Sequence, residues 1–553
     1  MPGMTLQNRH LFELEKALNH QLGTTDEIRY QWENDPYPAD GTVVADFWNK
    51  IEKAKKIRIV GDYDCDGINS SFIMYKSIKT VYPEKQVSVR IPRRFSEGYG
   101  INDKIVDEIM NEMDPEESLI ITVDNGIAAG VVLNRLSDNG YTVVVTDHHE
   151  AREGLELPRV NLLIDPAVKS IPNPLIGRYW CGAGVAYKLC EPIVSVKDEK
   201  VCHELSVYAG IATVADCMEL KEGNWGLVRN AIKSFRDKTE PIALKNLLLL
   251  MGQDPDFCNE DHFGFYLGPA YNAPGRLLDN GATEVLKYLN NPTQERCEHL
   301  VELNNRRKEI RDEEYEIIKQ EIERTGQSDA CPIWIAKDGL HEGIVGILAG
   351  KISEDYKRPA IVLTNVENNP GMLKGSARSY GKFNIFEYLS SMAELFTRMG
   401  GHEGAAGLSM TEENFKIAKT HQIDATTISE SLVDDSYHTN IRQWEIPKIN
   451  DTLSKFRPFG QGNPVPKFEI EVDINKDNAR FIGEQKNHLL IQDARGKYKI
   501  THFFHEPNDL ENELKFGMTG TISGSAFNGV ETPTLNGEEI YDLIDERTLD
   551  REY

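Results

Sequence analysis

Three aspartates, Asp62, Asp64 and Asp66, stand within the run Gly61-Asp-Tyr-Asp-Cys-Asp-Gly67. Carboxylates that close repel one another unless a cation neutralises them. A calcium EF-hand shares the opening spacing, but it needs a glutamate near the twelfth loop position, where Ile73 and Met74 stand. The pattern recurs downstream as Asp124-Asn125-Gly126, as Asp147-His148-His149-Glu150 and as Ala215-Asp216. One such cluster reads equally well as a polar surface turn. Four of them are what a two-cation site requires: carboxylates give hard oxygen ligands, one can bridge, and imidazole favours Mn²⁺ over Mg²⁺.

The elements that must position them are legible around these clusters. Short β-branched runs at Ile57–Val60, Val87–Ile91, Leu119–Val123, Thr142–Thr146 and Leu162–Ile164 alternate with helix-like segments such as Ser70–Val81 and Asn102–Met113. This rhythm predicts a mostly parallel sheet covered on both faces, with ligands beyond the carboxyl ends of its strands. A long charged helical region follows over 283–325. A second α/β unit begins near Cys331, with strands at Pro332–Ala336 and Ala360–Leu363 flanking a glycine-rich helix at Gly343–Gly350. After a polar linker, Phe456–Pro466 reads as a hinge. Five short strands, Phe468–Val472, His488–Gln492, Tyr498–Phe504, Gly517–Ser523 and Glu539–Ile544, then suggest a small barrel of OB type.

The 553 residues carry 88 acidic against 62 basic side chains, a net charge of −26. That balance excludes a uniformly basic coat and by itself favours a soluble enzyme with a small anionic or metal-bound substrate. It leaves room for local exceptions: Lys85–Lys104 holds five basic and two acidic residues. The eight cysteines form no Cys-x-x-Cys pair and read as reduced thiols. Without a signal-like or membrane-spanning apolar segment, a cytoplasmic protein is expected.

The four clusters together resemble the DHH phosphoesterase superfamily. Further motifs continue the likeness: Cys181-Gly-Ala-Gly-Val-Ala, Gly268-Pro-Ala-Tyr-Asn-Ala-Pro-Gly-Arg276, Lys374-Gly-Ser-Ala-Arg378, Gly400-Gly-His402 and Pro458-Phe-Gly-Gln-Gly-Asn-Pro464. Over roughly residues 45–545 they are similar, in order, to the RecJ family of bacterial single-strand-specific DNA exonucleases. The resemblance implies a DHH domain (45–230), a helical connector (231–326), a second α/β domain of DHHA1 type (327–415), a linker (416–464) and an OB-like domain (465–553), after an N-terminal segment (1–44).

It also implies roles. Asp64, Asp66, Asp124, His148 and Asp216 would hold two Mn²⁺ ions, with Mg²⁺ the alternative and Asp124 the bridge; Asp62 and His149 would touch the ions or support the groups that do. Asp124, His148, His149 and His402 are the catalytic candidates. Arg276, Ser376 and Arg378 would grip a terminal 5′-phosphate, Arg94 the strand backbone, and His402 the phosphate near the metals. One departure stands out: many relatives have histidine where this chain has Val60, so either Asp62 fills that ligand position or the first metal keeps another water. Cys65 and Asn125 read as tolerated variation.

The implied activity is metal-dependent degradation of single-stranded DNA from its 5′ end to 5′-mononucleotides, in repair and recombination. The implied partners are the strand itself and a single-strand-binding protein or helicase, for a monomer with no membrane contact. The rivals are a nanoRNase or phosphoadenosine-phosphate phosphatase, and a non-catalytic scaffold. Tyr380, Phe383 and Phe386 are candidates for base stacking, with core packing the alternative. Gly182-Ala-Gly184 and Gly343–Gly350 lack the endings of dinucleotide and P-loop motifs and read as tight helix packing.

Overall fold

The computed structural model describes residues 6–34, 39–151, 154, 156–171, 175, 180–366, 369–425, 428, 438–474, 477–483, 486–503, 514–527 and 530–541. The first sheet comprises β1 (Lys56–Val60), β2 (Gln86–Arg90), β3 (Ser118–Val123), β4 (Thr142–Thr146) and β5 (Leu162–Ile164), in the order β2-β1-β3-β4-β5. All of its pairings are parallel. Every residue of β3 is buried, as a central parallel strand covered on both faces must be. The chain leaves β1 toward β2 and returns on the other side to β3. The switch point therefore lies between β1 and β3, whose carboxyl ends lead into Asp62 and Asp124.

Three helices complete the site's frame. Cys65–Val81 begins inside the aspartate run, with the Asp64 side chain accepting from Gly67 N at its N-cap. Gly182–Lys197 and Glu199–Ala215 pack on it in one apolar cluster that includes Ile68, Phe72, Val185 and Tyr208. The 32-residue helix Gln294–Thr325 then leads to the second α/β unit, ending at Gly326 in the left-handed region, φ 66°.

The second sheet comprises β6 (Ile333–Ala336), β7 (Ala360–Asn365), β8 (Met372–Arg378), β9 (Arg398–His402) and β10 (Ala405–Thr411), in the order β6-β7-β8-β10-β9. Only β6 and β7 are parallel; the others join antiparallel, so this sheet is mixed. Leu373 and Ala377 of β8 face the core formed with Trp334 and Ile361. Lys374, Ser376 and Arg378 alternate onto the opposite face.

Among the described residues the C-terminal sheet has seven strands rather than five: β11 (His438–Ile441), β12 (Lys467–Ile474), β13 (Ala479–Ile482), β14 (His488–Gln492), β15 (Lys499–His502), β16 (Leu514–Phe527) and β17 (Val530–Tyr541). The last two are long partners, and β11 comes out of the expected linker to pair with β12. Period-2 patterning is weak in Gly- and Thr-rich β16, which is why the sequence shows only its middle. The expected strand ends at Phe504 and beyond Tyr541 lie outside the described residues.

The Phe456–Pro466 segment is no free hinge. Phe456 and Asn463 are buried. Asn463 Nδ2 donates to the carbonyls of Phe456 (3.1 Å) and Pro458 (2.8 Å). Glu260 Oε1 receives Phe459 N at 3.0 Å and pairs with Arg457. The N-terminal helices reinforce this junction. Gln21 Nε2 donates to Pro464 O at 2.7 Å, and Leu14 and Leu18 share an apolar cluster with Phe468 and Met518. Among the described residues no helix is long and apolar enough to cross a membrane.

Candidate active site

The four clusters converge beyond the carboxyl edge of the first sheet. His148 Nε2 lies 3.1 Å from Asp124 Oδ1, 3.5 Å from Asp66 Oδ2 and 3.6 Å from Asp216 Oδ2. Ligand atoms of Asp62, Asp64 and Asp124 fall within 4.8 Å of one another, as do those of Asp66, His148 and Asp216, and those of Asp124, His148 and His149. Asp124 therefore sits where two coordination positions meet.

Each side chain is held by identifiable backbone. Asp66 accepts from Gly182 N (2.6 Å) and Ala183 N (2.7 Å), so the positive end of the Gly182–Lys197 helix fixes both of its oxygens. Asp124 takes a left-handed backbone, φ 59°, as the chain turns off β3. A β-carbon on Gly182 would stand 2.5 Å from Asp124 Cβ, so only glycine admits the carboxylate there. Asp216 caps the C-terminus of Glu199–Ala215.

The electrostatics favour a cation. Both Asp62 oxygens are buried without a hydrogen-bond partner. Burial and Asp64 push this carboxyl well above the usual range. Burial, then Asp66 and Asp64, do the same to Asp124; burial and Asp66 raise Asp64 and Asp216. Such a cluster is stable as carboxylates only with positive charge among them, and five carboxylates with one imidazole are a fitting donor set for hard divalent ions. Val60 is fully buried in an apolar cluster with Ile101, Ile105 and Ile120. Its side chain is spent on packing, while Asp62 lies in ligand range of Asp64 and Asp124.

His149 differs from its neighbour. Burial opposes its charge, but the 2.7 Å hydrogen bond between Nδ1 and Asp147 Oδ1, together with the charges of Asp147, Asp216 and Asp66, lifts the imidazole to about 9. His148 is pushed down by burial. Asp147 is the residue sequence reasoning overlooked: quoted within Asp-His-His, it is fully buried, accepts from Ile127 N (2.9 Å) and His148 N (2.8 Å), and orients the histidine pair. Behind it, burial and Asp147 raise Asp165 to about 7.

A second, opposite charge cluster adjoins the first. The helix Gly268–Leu277 links them: Asn272 Oδ1 receives Cys65 N at 2.7 Å, a Cβ on Gly275 would meet Tyr63 O at 3.0 Å, and Arg276 Nη1 donates to Gly343 O at 3.2 Å. Burial, then Arg94, Arg307 and Arg378, lower Arg276 to about 9. Arg378 Nη1 donates to Ser376 Oγ at 2.7 Å, and the Arg94 guanidinium lies 4.7 Å over the Tyr63 ring. Neither Arg276, Arg307 nor Arg378 pairs with a carboxylate among the described residues, so the cluster carries uncompensated positive charge.

Arg307, on the long helix, was hidden in a charge run that reads as solvated; its Nε donates to Asn304. The Gly343–Gly350 segment does pack tightly, but against this cluster. A Cβ on Gly343 would meet Arg276 O at 2.0 Å, and one on Gly346 the Arg378 guanidinium at 3.2 Å.

His402 is not among the clustered groups. It is exposed at the end of β9, and its Nδ1 accepts from Gly404 N at 3.2 Å. Register places it opposite Ala405, which on its other side opposes Arg378. His402 and Arg378 thus share one face, about two strand spacings or 10 Å apart. Phe383 and Phe386 lean on the second sheet's core, as the packing alternative expected; Tyr380 is only partly buried.

Three family models match consecutive parts of the chain: the DHH family N-terminal domain over 56–217, the DHHA1 domain over 330–425 and the RecJ OB domain over 445–539. The chain is thus built from domains of the DHH, DHHA1 and RecJ OB families. It is 30% identical over 521 residues to the single-stranded-DNA-specific exonuclease RecJ of Bacillus subtilis, covering 90% of this chain. It spans 64% of that relative's length. A crystal structure of RecJ in complex with Mn²⁺ from Thermus thermophilus superposes with a TM-score of 0.71 at 24% identity, covering 93% of this chain and 73% of that one, and shows the shared fold. A second, titled exonuclease RecJ bound to manganese, is 27% identical with a TM-score of 0.56, covering 70% of this chain and 93% of the other.

Proposed function

We propose that this chain is a divalent-metal-dependent exonuclease that degrades single-stranded DNA from a 5′ end to 5′-mononucleotides. One observation carries the reading: a largely buried carboxylate–histidine cluster adjoins a partly buried arginine cluster in which Arg276, Arg307 and Arg378 have no carboxylate partner among the described residues, and the Tyr63 to Arg94 contact joins them. A chain end offering a terminal phosphate and, one nucleotide further, a phosphodiester satisfies both at once. The curated relative acts on single-stranded DNA by name, and a structural relative binds manganese.

Asp62, Asp64 and Asp124 would hold one cation and Asp66, His148 and Asp216 a second, with Asp124 between them and the imidazole favouring Mn²⁺ over Mg²⁺. Bound there, the ions supply the positive charge and the acidified water that phosphodiester hydrolysis needs. The chain's own groups do the rest. Arg276, Arg378 and Ser376 bind the terminal phosphate, the guanidinium forks meeting its oxygens in pairs. Arg94 neutralises the backbone. His149, kept protonated by Asp147, donates to a phosphate oxygen or the leaving group. Asp62 and Asp124 are nearly inaccessible, which favours a slender single strand over a duplex as the substrate that reaches them.

The test uses 5′-phosphorylated single- and double-stranded oligonucleotides, with Mn²⁺ or EDTA, beside Asp124→Ala. Single strands should disappear to mononucleotides only with metal and only with the wild-type protein. Binding of single strands without degradation, or cleavage confined to di- and trinucleotides, would overturn the reading.

A further inference from the structure

Between the two clusters runs a wall of aromatic rings to which nothing above gives a task. Arg94 covers Tyr63; Tyr63 meets Tyr99 at 6.2 Å between centroids and 88°; Tyr99 meets His149 at 6.0 Å and 84°. Tyr63 is largely covered, but Tyr99 is 51% exposed. Both neighbours stand nearly perpendicular to the Tyr99 ring, so neither lies parallel over its face.

The ring is nonetheless firmly placed. Its hydroxyl donates to Asp124 O at 3.1 Å and lies 3.3 Å from His149 Nε2. Gly98 and Gly100 on either side take φ 87° and 60°. Asn125, the residue after Asp124, receives Ile101 N at 3.1 Å and so ties the loop to the end of β3. A large, half-open aromatic held rigidly beside buried carboxylates is costly to solvate and well prepared to meet a flat ligand.

We propose that Tyr99 is the platform on which the nucleobase of the terminal nucleotide stacks. This rests on the exonuclease reading above: a terminal phosphate in the arginine cluster and a scissile phosphate at the carboxylates leave one nucleoside between them, and the Tyr63–Tyr99 wall spans that interval. Stacking is indifferent to base identity because every base has a π-face, so the platform fixes position without selecting sequence. The hydroxyl ties ring, Asp124 backbone and His149 together, so a stacked base is indexed to the catalytic groups.

The experiment measures KM and kcat for wild type, Tyr99→Phe and Tyr99→Leu, each shown to be folded by thermal melting. Two 5′-phosphorylated single strands serve as substrates, one with a normal and one with an abasic first nucleotide. Tyr99→Phe should keep a wild-type KM on the normal strand. Tyr99→Leu should raise KM about 10-fold, as loss of one base–aromatic stack predicts. The abasic end should cost the wild type a similar factor and cost Tyr99→Leu little more. Equal losses for Tyr99→Leu on both strands, or no loss on either, would overturn the platform while leaving the exonuclease reading intact. Wild-type protein inactive on both would overturn the exonuclease reading and the platform with it.

Discussion

The carboxylate cluster and the arginine cluster are both drawn in from solvent and both crowded with like charges, yet they are assembled in different ways. The carboxylates come from turns that follow neighbouring strands of one sheet, and a helix of the same unit supplies Asp216. The arginines come from a loop after β2, the end of an irregular helix, the middle of a 32-residue helix and an antiparallel strand of another sheet. The first cluster belongs to one topological unit and the second exists only because two units dock. A site made at one strand edge should survive disturbance of the domain interface, whereas a site made between domains should not.

The sharpest break in that comparison is Asp124→Ala. Losing the shared carboxylate should lower Mn²⁺-dependent degradation by at least about 1000-fold, several kcal/mol of charge stabilisation being removed, with the protein still melting cooperatively. Next comes the arginine side. Arg378→Ala or Arg276→Ala should raise KM for a 5′-phosphorylated strand by about 30-fold and leave a 5′-hydroxyl strand nearly unchanged, the scale of charged hydrogen bonds lost. Equal losses on both strands would show that these arginines hold the fold rather than the phosphate.

The two clusters should also answer metal differently. Mn²⁺ at about 100 times its dissociation constant should stabilise the wild type by about 2.7 kcal/mol, read as a higher melting temperature. Burial and the neighbouring aspartates push the Asp124 carboxyl up, so its charge is unfavourable in the metal-free fold. Asp124→Asn should therefore melt higher than wild type in EDTA and respond less to Mn²⁺. Arg378→Ala should leave the Mn²⁺ response unchanged. The smallest effect belongs to His402, exposed and about two strands from Arg378: His402→Ala should change KM by only about 3-fold, within the range of a single exposed contact.

The same division explains what could be read beforehand. The carboxylates were legible because a parallel sheet delivers its ligands just after each β-branched run. Asp147 stood in the quoted motif, but its orienting role depends on Ile127 and on burial, which spacing does not reveal. Arg307 was invisible inside a charge run, because only docking turns one helical position away from water. Tyr99 carried no signal beyond two flanking glycines. The C-terminal sheet was under-read for a related reason: β16 and β17 gain their length from pairing with each other, not from their own hydrophobic alternation.

The sequence by itself determined the first sheet, the acidic and histidine clusters at its edge and the resemblance they carry, since these depend on short-range patterning and on residue chemistry repeated at fixed topological places. The tertiary structure alone decided that Asp62 stands where Val60 cannot serve, that the glycine-rich helix of the second unit lies against Arg276 and Arg378, and that Tyr99 lies between the two clusters. Those facts rest on contacts between segments far apart in the chain, and burial rather than residue type gives each of them its electrostatic consequence.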